Sequence, residues 1–328
     1  MLTLYPPTGT CSGSACSYPS TSASCPSGCS NGACNGTGWV AMNSGTMNTL
    51  YSAWGSSPTS VWVGGVSGTL LHWNGAQWQA RASGTTDSLR TLSGTSETSL
   101  FARAGWTLRH FDGANWQDIS ALVGFTYIDC ITAVADRTVM VGTFSGSVGN
   151  MRFNLTRVTG SGGSWVATLL GSSTVTEAHC SLSALPGGQV VVASSPALVW
   201  NGAALVQAGA TARDVASQVS SIYATSPDHA LVGRESYNVE ILNAGQWTSL
   251  NVGFEPIAIV GTSFTRAFLI GGTDPSSTLG LPSIALWDGA GATTQTLPAG
   301  TGVLLGGWAA PTGEVFAVGG DGLILRGP

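Results

Sequence analysis

Leu50 to Gln79 reads LYSAWGSSPTSVWVGGVSGTLLHWNGAQWQ, four short apolar runs separated by turn residues. β-branched and aromatic residues between Gly, Ser, Pro and Asn clusters predict strands at Leu50–Trp54, Ser60–Val63, Thr69–Trp73 and Gln77–Arg81. The links are Gly-Ser-Ser-Pro, Gly-Gly-Val-Ser-Gly and Asn-Gly. Asn-Gly between two such runs predicts a tight hairpin of type I′, in which both central residues take φ > 0.

The unit recurs. Asn35 to Leu50 is NGTGWVAMNSGTMNTL and Asn74 to Leu89 is NGAQWQARASGTTDSL, an offset of 39 residues that keeps Asn-Gly, Trp, Ala, Ser-Gly-Thr and the final Leu. A period of about 40 residues holding four strands is the signature of a β-propeller blade. Weaker copies follow, with FDGANW from Phe111, VWNGAAL from Val199, Trp247, LWDGA from Leu286 and GEVFAVGGDGLIL from Gly313. Blades therefore start near residues 50, 89, 128, 180, 219, 257 and 303. The last copy is one strand short, whereas Gly38–Met42 reads as a fourth strand without its first three. The expected fold is all-β: a seven-bladed propeller of four-stranded blades over residues 35–328, closed by the N-terminal strand and preceded by a Cys-rich segment over 1–34. Closure of the ring removes the unpaired edges of an open stack.

The motifs WGSSPTSVWVGG and GTLLHWNGAQW resemble those of secreted WD40/YVTN/BNR-like propeller repeat proteins of myxobacteria and related soil bacteria. The resemblance covers about residues 35–328 and implies the propeller fold. It implies no particular activity, and blades three to six depart from it by losing the Trp-Gly opening.

Only 8% of the residues are charged, against roughly 25% in an average soluble protein, and all eleven basic residues are Arg. A net charge of −5 without a basic cluster argues against a nucleic-acid partner. No apolar run reaches the ~18 residues of a transmembrane helix. Five of the seven cysteines (Cys11, Cys16, Cys25, Cys29 and Cys34) lie among Ser, Gly, Pro and Asn, which cannot build a core. Their spacing lacks a Cys-x2-Cys pair and a nearby His, so disulfides are favoured over zinc. The expected setting is extracellular or the outer cell surface, with a leader absent from this numbering. Cys130 and Cys180 start the innermost strands of adjacent blades and are expected to bridge them. One of the five N-terminal cysteines would then be left over, free or joined to another chain in a homo- or hetero-assembly.

No catalytic signature stands out. A phosphate-binding P-loop needs a Lys, which the chain lacks, and no His-Glu-x-x-His occurs. The WNGAQW and FDGANW boxes lack the opening Ser-x-Asp of sialidase repeats. His72 and His110 hold equivalent places in adjacent blades, without a periodic third ligand. Neither a metal nor a cofactor is expected. The fourth-strand tryptophans (Trp39, Trp78, Trp116, Trp165 and Trp247) are expected to pack between sheets. What individualises the chain is its loops over 124–129, 143–150, 176–180, 234–238 and 272–283, which gain aromatic and charged residues. Candidate ligand contacts are Trp106, Phe125, Tyr127, His179, Arg234 and Tyr237, for a non-catalytic propeller that recognises a protein or glycan. The alternatives are a structural subunit of an extracellular assembly and a glycan-active hydrolase or lyase.

Overall fold

The computed structural model describes residues 38–328 apart from 125–126, 148–149, 211–217 and 274–280. Within the first 37 residues it describes only the backbone of six short strands. Two pairs of these strands set Cys11 opposite Cys16 and Cys29 opposite Cys34; Cys25 lies outside the described residues.

Seven four-stranded antiparallel sheets follow one another around a ring. In the first blade the strands are Leu50–Ser57, Ser60–Gly65, Leu70–Trp73 and Trp78–Ala80, paired in sequence order. The seventh blade takes three strands from the C-terminal end (Leu304–Ala309, Val315–Gly319 and Ile324–Gly327) and its fourth, Val40–Met42, from the N-terminal side. That strand is registered Ile324 to Met42 and Arg326 to Val40. Each innermost strand packs against the next, and the seventh against the first.

The second strand of each blade is buried on both faces, which is why VWV, LFA, VMV, VVV, ALV, AFLI and VFAV read as unbroken apolar runs rather than alternating ones. The apolar side chains gather into seven clusters, one between each pair of neighbouring blades. The fourth-strand tryptophans belong to these layers. Trp39 meets Phe268 of blade six edge-on, Trp165 lies against Phe101 and His110 of blade two, and Trp247 donates its indole N–H to the Ala208 carbonyl of blade four. His110 is 1% exposed inside such a layer.

The Asn-Gly hairpin differs from the expected type I′ turn. Among Asn74 to Gln77 only Gly75 takes positive φ (+90°), and the Asn74 carboxamide oxygen accepts the N–H groups of Ala76 and Gln77. Asp112, Asn201 and Asp288 do the same in blades two, four and six, each followed by a Gly with φ near +97°. An acceptor oxygen that closes an Asx turn is what the position requires, so Asn and Asp interchange there. These accepted bonds also hold the Asp112 and Asp288 carboxyls below the usual carboxylate range.

A second difference lies in blade three. The loop expected over residues 143–150 is instead strand at 143–147 and at 150, part of a longer hairpin in which Phe144 pairs with Phe153 and Ser147 with Asn150. Strands Thr138–Ser147, Asn150–Ser161 and Ser164–Val175 outrun the innermost strand Ile128–Ala135, whose first residue faces Thr143. A three-stranded tongue therefore rises beyond the ring. Among the described residues no helix is long and apolar enough to cross a membrane.

Candidate functional site at the channel mouth

Because the four strands of a blade alternate in direction, the links from second to third strand and from one blade to the next emerge on one face. There the channel opens. A cavity of about 500 Å³ is lined by side chains of all seven innermost strands.

Its rim is built by a repeated local device. In six blades the pairing of the first two strands skips one residue near the start of the innermost strand: Tyr51, Arg90, Asp129, Ser220, Ile257 and Leu305. A β-bulge turns its extra residue out of the ladder, and all six of these line the cavity. In blade four, whose innermost strand starts only at Ser181, His179 and Cys180 stand at the cavity wall instead. The ring is two-sided. Blades one to four contribute Tyr51, Arg90, Asp129 and His179, whereas blades five to seven contribute Ser220, Ile257 and Leu305.

On the polar side the groups support one another. The Arg90 guanidinium lies over the Tyr51 ring, 4.5 Å from its centre. Arg103, from the second strand of blade two, also lines the cavity and donates to the Gly105 carbonyl at 3.2 Å, while its Nε is buried without a partner. Burial presses the Arg103 guanidinium below its ordinary range; Asp129 opposes that shift and Arg90 adds to it. Asp129 accepts the Cys180 N–H at 2.7 Å, and its other oxygen is 3.9 Å from His179 Nδ1. Beside them a disulfide joins Cys130 to Cys180, with Cα atoms 5.7 Å apart, as the expectation for that pair had it. Gly142 is small because a Cβ there would run into both sulfurs and the Phe153 ring.

The expected contact residues fall into distinct environments. Trp106 and Tyr127 come together at the join of blades two and three, ring centres 5.0 Å apart and edge to face, 58% and 67% exposed. His179 is half exposed at the rim. Tyr237 stands across the mouth on blade five, 37% exposed, its hydroxyl donating to the Thr273 carbonyl of blade six. Arg234 departs from its expected role: it is 1% exposed, with Nη1 3.1 Å from Glu177 Oε1 and 3.3 Å from Ser195 Oγ. Glu177 also accepts the Val219 N–H, so Arg234 ties blade four to blade five rather than facing a ligand. Phe125 lies outside the described residues. Sequence reasoning missed Tyr51, Arg90, Arg103 and Asp129. The first, second and fourth are the residues directly after the blade starts at Leu50, Leu89 and Ile128, so the repeat register held the signal.

On the opposite face Ser60 Oγ lies 2.8 Å from His72 Nε2 and donates to Glu97 Oε1 at 2.8 Å. In a nucleophilic triad the acid orients the histidine through its far nitrogen. Here the carboxylate bonds the hydroxyl and the Trp62 indole N–H, and His72 Nδ1 is buried without a partner. The group straps blade two to blade one. Among the described residues no cluster of three His, Cys, Asp or Glu could hold a metal ion.

Fold and mouth define a seven-bladed β-propeller with an open, bulge-lined channel and an exposed aromatic pair on one face. Solved structures agree on the fold. A structure described as YCF48 bound to D1 peptide is 17% identical, with a TM-score of 0.60 over 88% of this chain and 96% of that one. The WD40 β-propeller domain of Doa1 is 12% identical, with a TM-score of 0.64 over 89% and 97%. Streptogramin B lyase is 10% identical, with a TM-score of 0.62 over 88% and 97%. No protein-family model matches the chain, and no curated protein matches it.

Proposed function

We propose that this chain is a non-catalytic, extracellular or cell-surface propeller that holds a protein partner, as an extended segment, on the face around the channel mouth. The observation that carries this is the Trp106–Tyr127 pair. Two large rings stay exposed on the face where the channel opens, in a chain that elsewhere puts its tryptophans into the layers between blades. Such rings offer apolar area at low entropic cost, and the rim supplies orienting polar groups. The D1 peptide bound to the similarly folded YCF48 supports a peptide as the partner's form. The Cys130–Cys180 bridge and the Cys-rich N-terminal segment support an oxidising compartment.

The test is binding of the intact chain to a peptide array in parallel with a glycan array. Trp106→Ala with Tyr127→Ala should reduce peptide retention at least tenfold while leaving the melting temperature within a few degrees. Retention unchanged by the double substitution would remove the face from consideration. Signals on the glycan array alone would move the reading to its runner-up. A second reading, covalent assembly, rests on the five cysteines left once Cys130 and Cys180 are paired. A single monomeric band on non-reducing electrophoresis of native material would count against it.

A further inference from the structure

Eleven arginines are the only strong cations of the chain. Among the described residues, Arg109, Arg234 and Arg326 are paired with carboxylates. Arg90 and Arg103 are placed otherwise. Both line the cavity from the same blade, and neither has a carboxylate within ion-pair distance among the described residues. Tyr51 covers one flat side of the Arg90 guanidinium. Its N–H donors, which lie in the plane, make no hydrogen bond among the described residues. Stacking of this kind fixes the plane of the group without using its donors. Arg103 adds a second guanidinium with one buried donor unmatched. At Arg103 the attraction of Asp129 outweighs the repulsion of Arg90. The Arg90 donors face the cavity without an ion-pair partner among the described residues, so an anion entering there meets them with Arg103 adding to the positive field.

The rest of the rim says what the anion is attached to. Ile257 and Leu305 face the cavity from blades six and seven, and among the described residues no charged side chain lines it on that side. Farther out, Glu255 and Glu235 sit close enough to each other that burial, then the Glu235 charge, pushes the Glu255 carboxyl up. That part of the rim repels an acid, so a ligand's negative group is directed to blade two.

We propose that the channel mouth is a carboxylate subsite: Arg90 and Arg103 bind an acidic group of an extended peptide, whose neighbouring aliphatic side chain rests on Ile257 and Leu305. This deepens the peptide-binding reading and rests on it. A planar carboxylate matches the in-plane donors of Arg90 in a two-pronged hydrogen bond, and an amide of the same shape does not. The loss expected on replacing acid by amide is that of a charge-assisted bond, about tenfold or more in affinity.

The test uses the intact chain and matched synthetic peptides, identical except for Asp against Asn or Glu against Gln beside a Leu, read by fluorescence anisotropy. The acidic member of a pair should bind at least about tenfold tighter, and raising salt should narrow the gap. Arg90→Gln, exposed and so without a folding penalty, should bring the ratio to about two, and Arg103→Gln should act in the same direction. Trp106→Ala should instead weaken both members of a pair alike. Equal binding of acid and amide by the unsubstituted chain would overturn the subsite and leave the aromatic face standing. A preference that survives Arg90→Gln and Arg103→Gln together would also overturn it. If no peptide binds at all, the peptide reading falls and the subsite with it.

Discussion

At the scale of single residues, His110 measures how dry the layers between blades are. It is 1% exposed, packed against Phe101 and Trp165, with the Arg137 guanidinium 4.8 Å above the same Trp ring. Burial, and then the nearby Arg137 charge, lower its pKa from 6.5 to about 4. The unfolded chain therefore takes up a proton below pH ~6.5 that the folded chain refuses until about pH 4. Stability should fall as pH drops through that window and level off below it. Asp112, Asp228 and Asp288, whose pKa values are lowered, act in the opposite part of the scale, losing their contribution only below the ordinary Asp value of 3.8. In the window from 6.5 to 4 the histidines, His72 included since burial lowers it as well, are opposed by Glu255. Its raised carboxyl favours the folded chain as pH falls toward 4.5, so the share of His110 is read from its variant. Thermal melts between pH 7 and 4 should show a clearly flatter slope for His110→Phe than for the unsubstituted chain. An unchanged slope would mean that His110 titrates normally. The same scale explains what the sequence hid. A bulge reverses the in-out alternation at one position, so Tyr51, Arg90 and Asp129 carry no mark in a polar/apolar pattern; only the 39-residue register aligns them. Arg234 misled for the opposite reason. A charge in a variable loop reads as solvent-facing, and nothing in the sequence announces that Glu177, far along the chain, will bury it.

At the scale of elements, the N-terminal strand shows why the fold was legible. Hairpin repeats of one length leave a period, and a missing last strand at one end matched by a surplus one at the other predicts closure. Blade three was less legible because its tongue is written in Ser, Gly and Asn, residues that local propensity assigns to loops. Long-range pairing to Asn150–Ser161 overrides that preference. The closing strand Val40–Met42 is short, and its backbone pairing with Ile324–Gly327 spans only three residue pairs. Its anchor is Trp39, 4% exposed, packed on Phe268 and against Gly327, where a Cβ would collide with the indole. Removing a buried indole costs about 3–5 kcal/mol. Trp39→Ala should therefore lower the unfolding free energy by that amount and the urea midpoint with it, and limited proteolysis should cut first near residue 40. Val40, 62% exposed on the same strand, serves as the control: Val40→Thr should change stability by less than about 0.5 kcal/mol. Equal effects at the two positions would mean that the strand is held by its backbone bonds alone.

At the scale of the whole molecule, a ring of seven similar blades is set apart at two places by how its chain is joined. Blade seven is completed without a covalent link by a strand from the other end of the chain. Blades three and four are joined through Cys130 and Cys180, across a sequence separation of 50 residues, at the inner wall of the channel. A cross-link acts chiefly by restricting the unfolded chain, and for a loop of that length the chain-entropy relation gives about 4 kcal/mol. Cys130→Ala with Cys180→Ala should lower the urea midpoint correspondingly, with the slope of the transition little changed if the ring still unfolds as one unit. Reduction of the unsubstituted chain should reproduce that midpoint. Reduction of the double variant then separates the two ends of the molecule: no further loss means that the N-terminal cysteines leave the ring's stability alone, and a further loss means that they brace it. Identical midpoints for oxidised and reduced unsubstituted chain would show that the layers between blades hold the ring without the bridge. Asp129 would still receive the Cys180 backbone N–H in either state, so the rim's charges should stay in place while the strands behind them loosen.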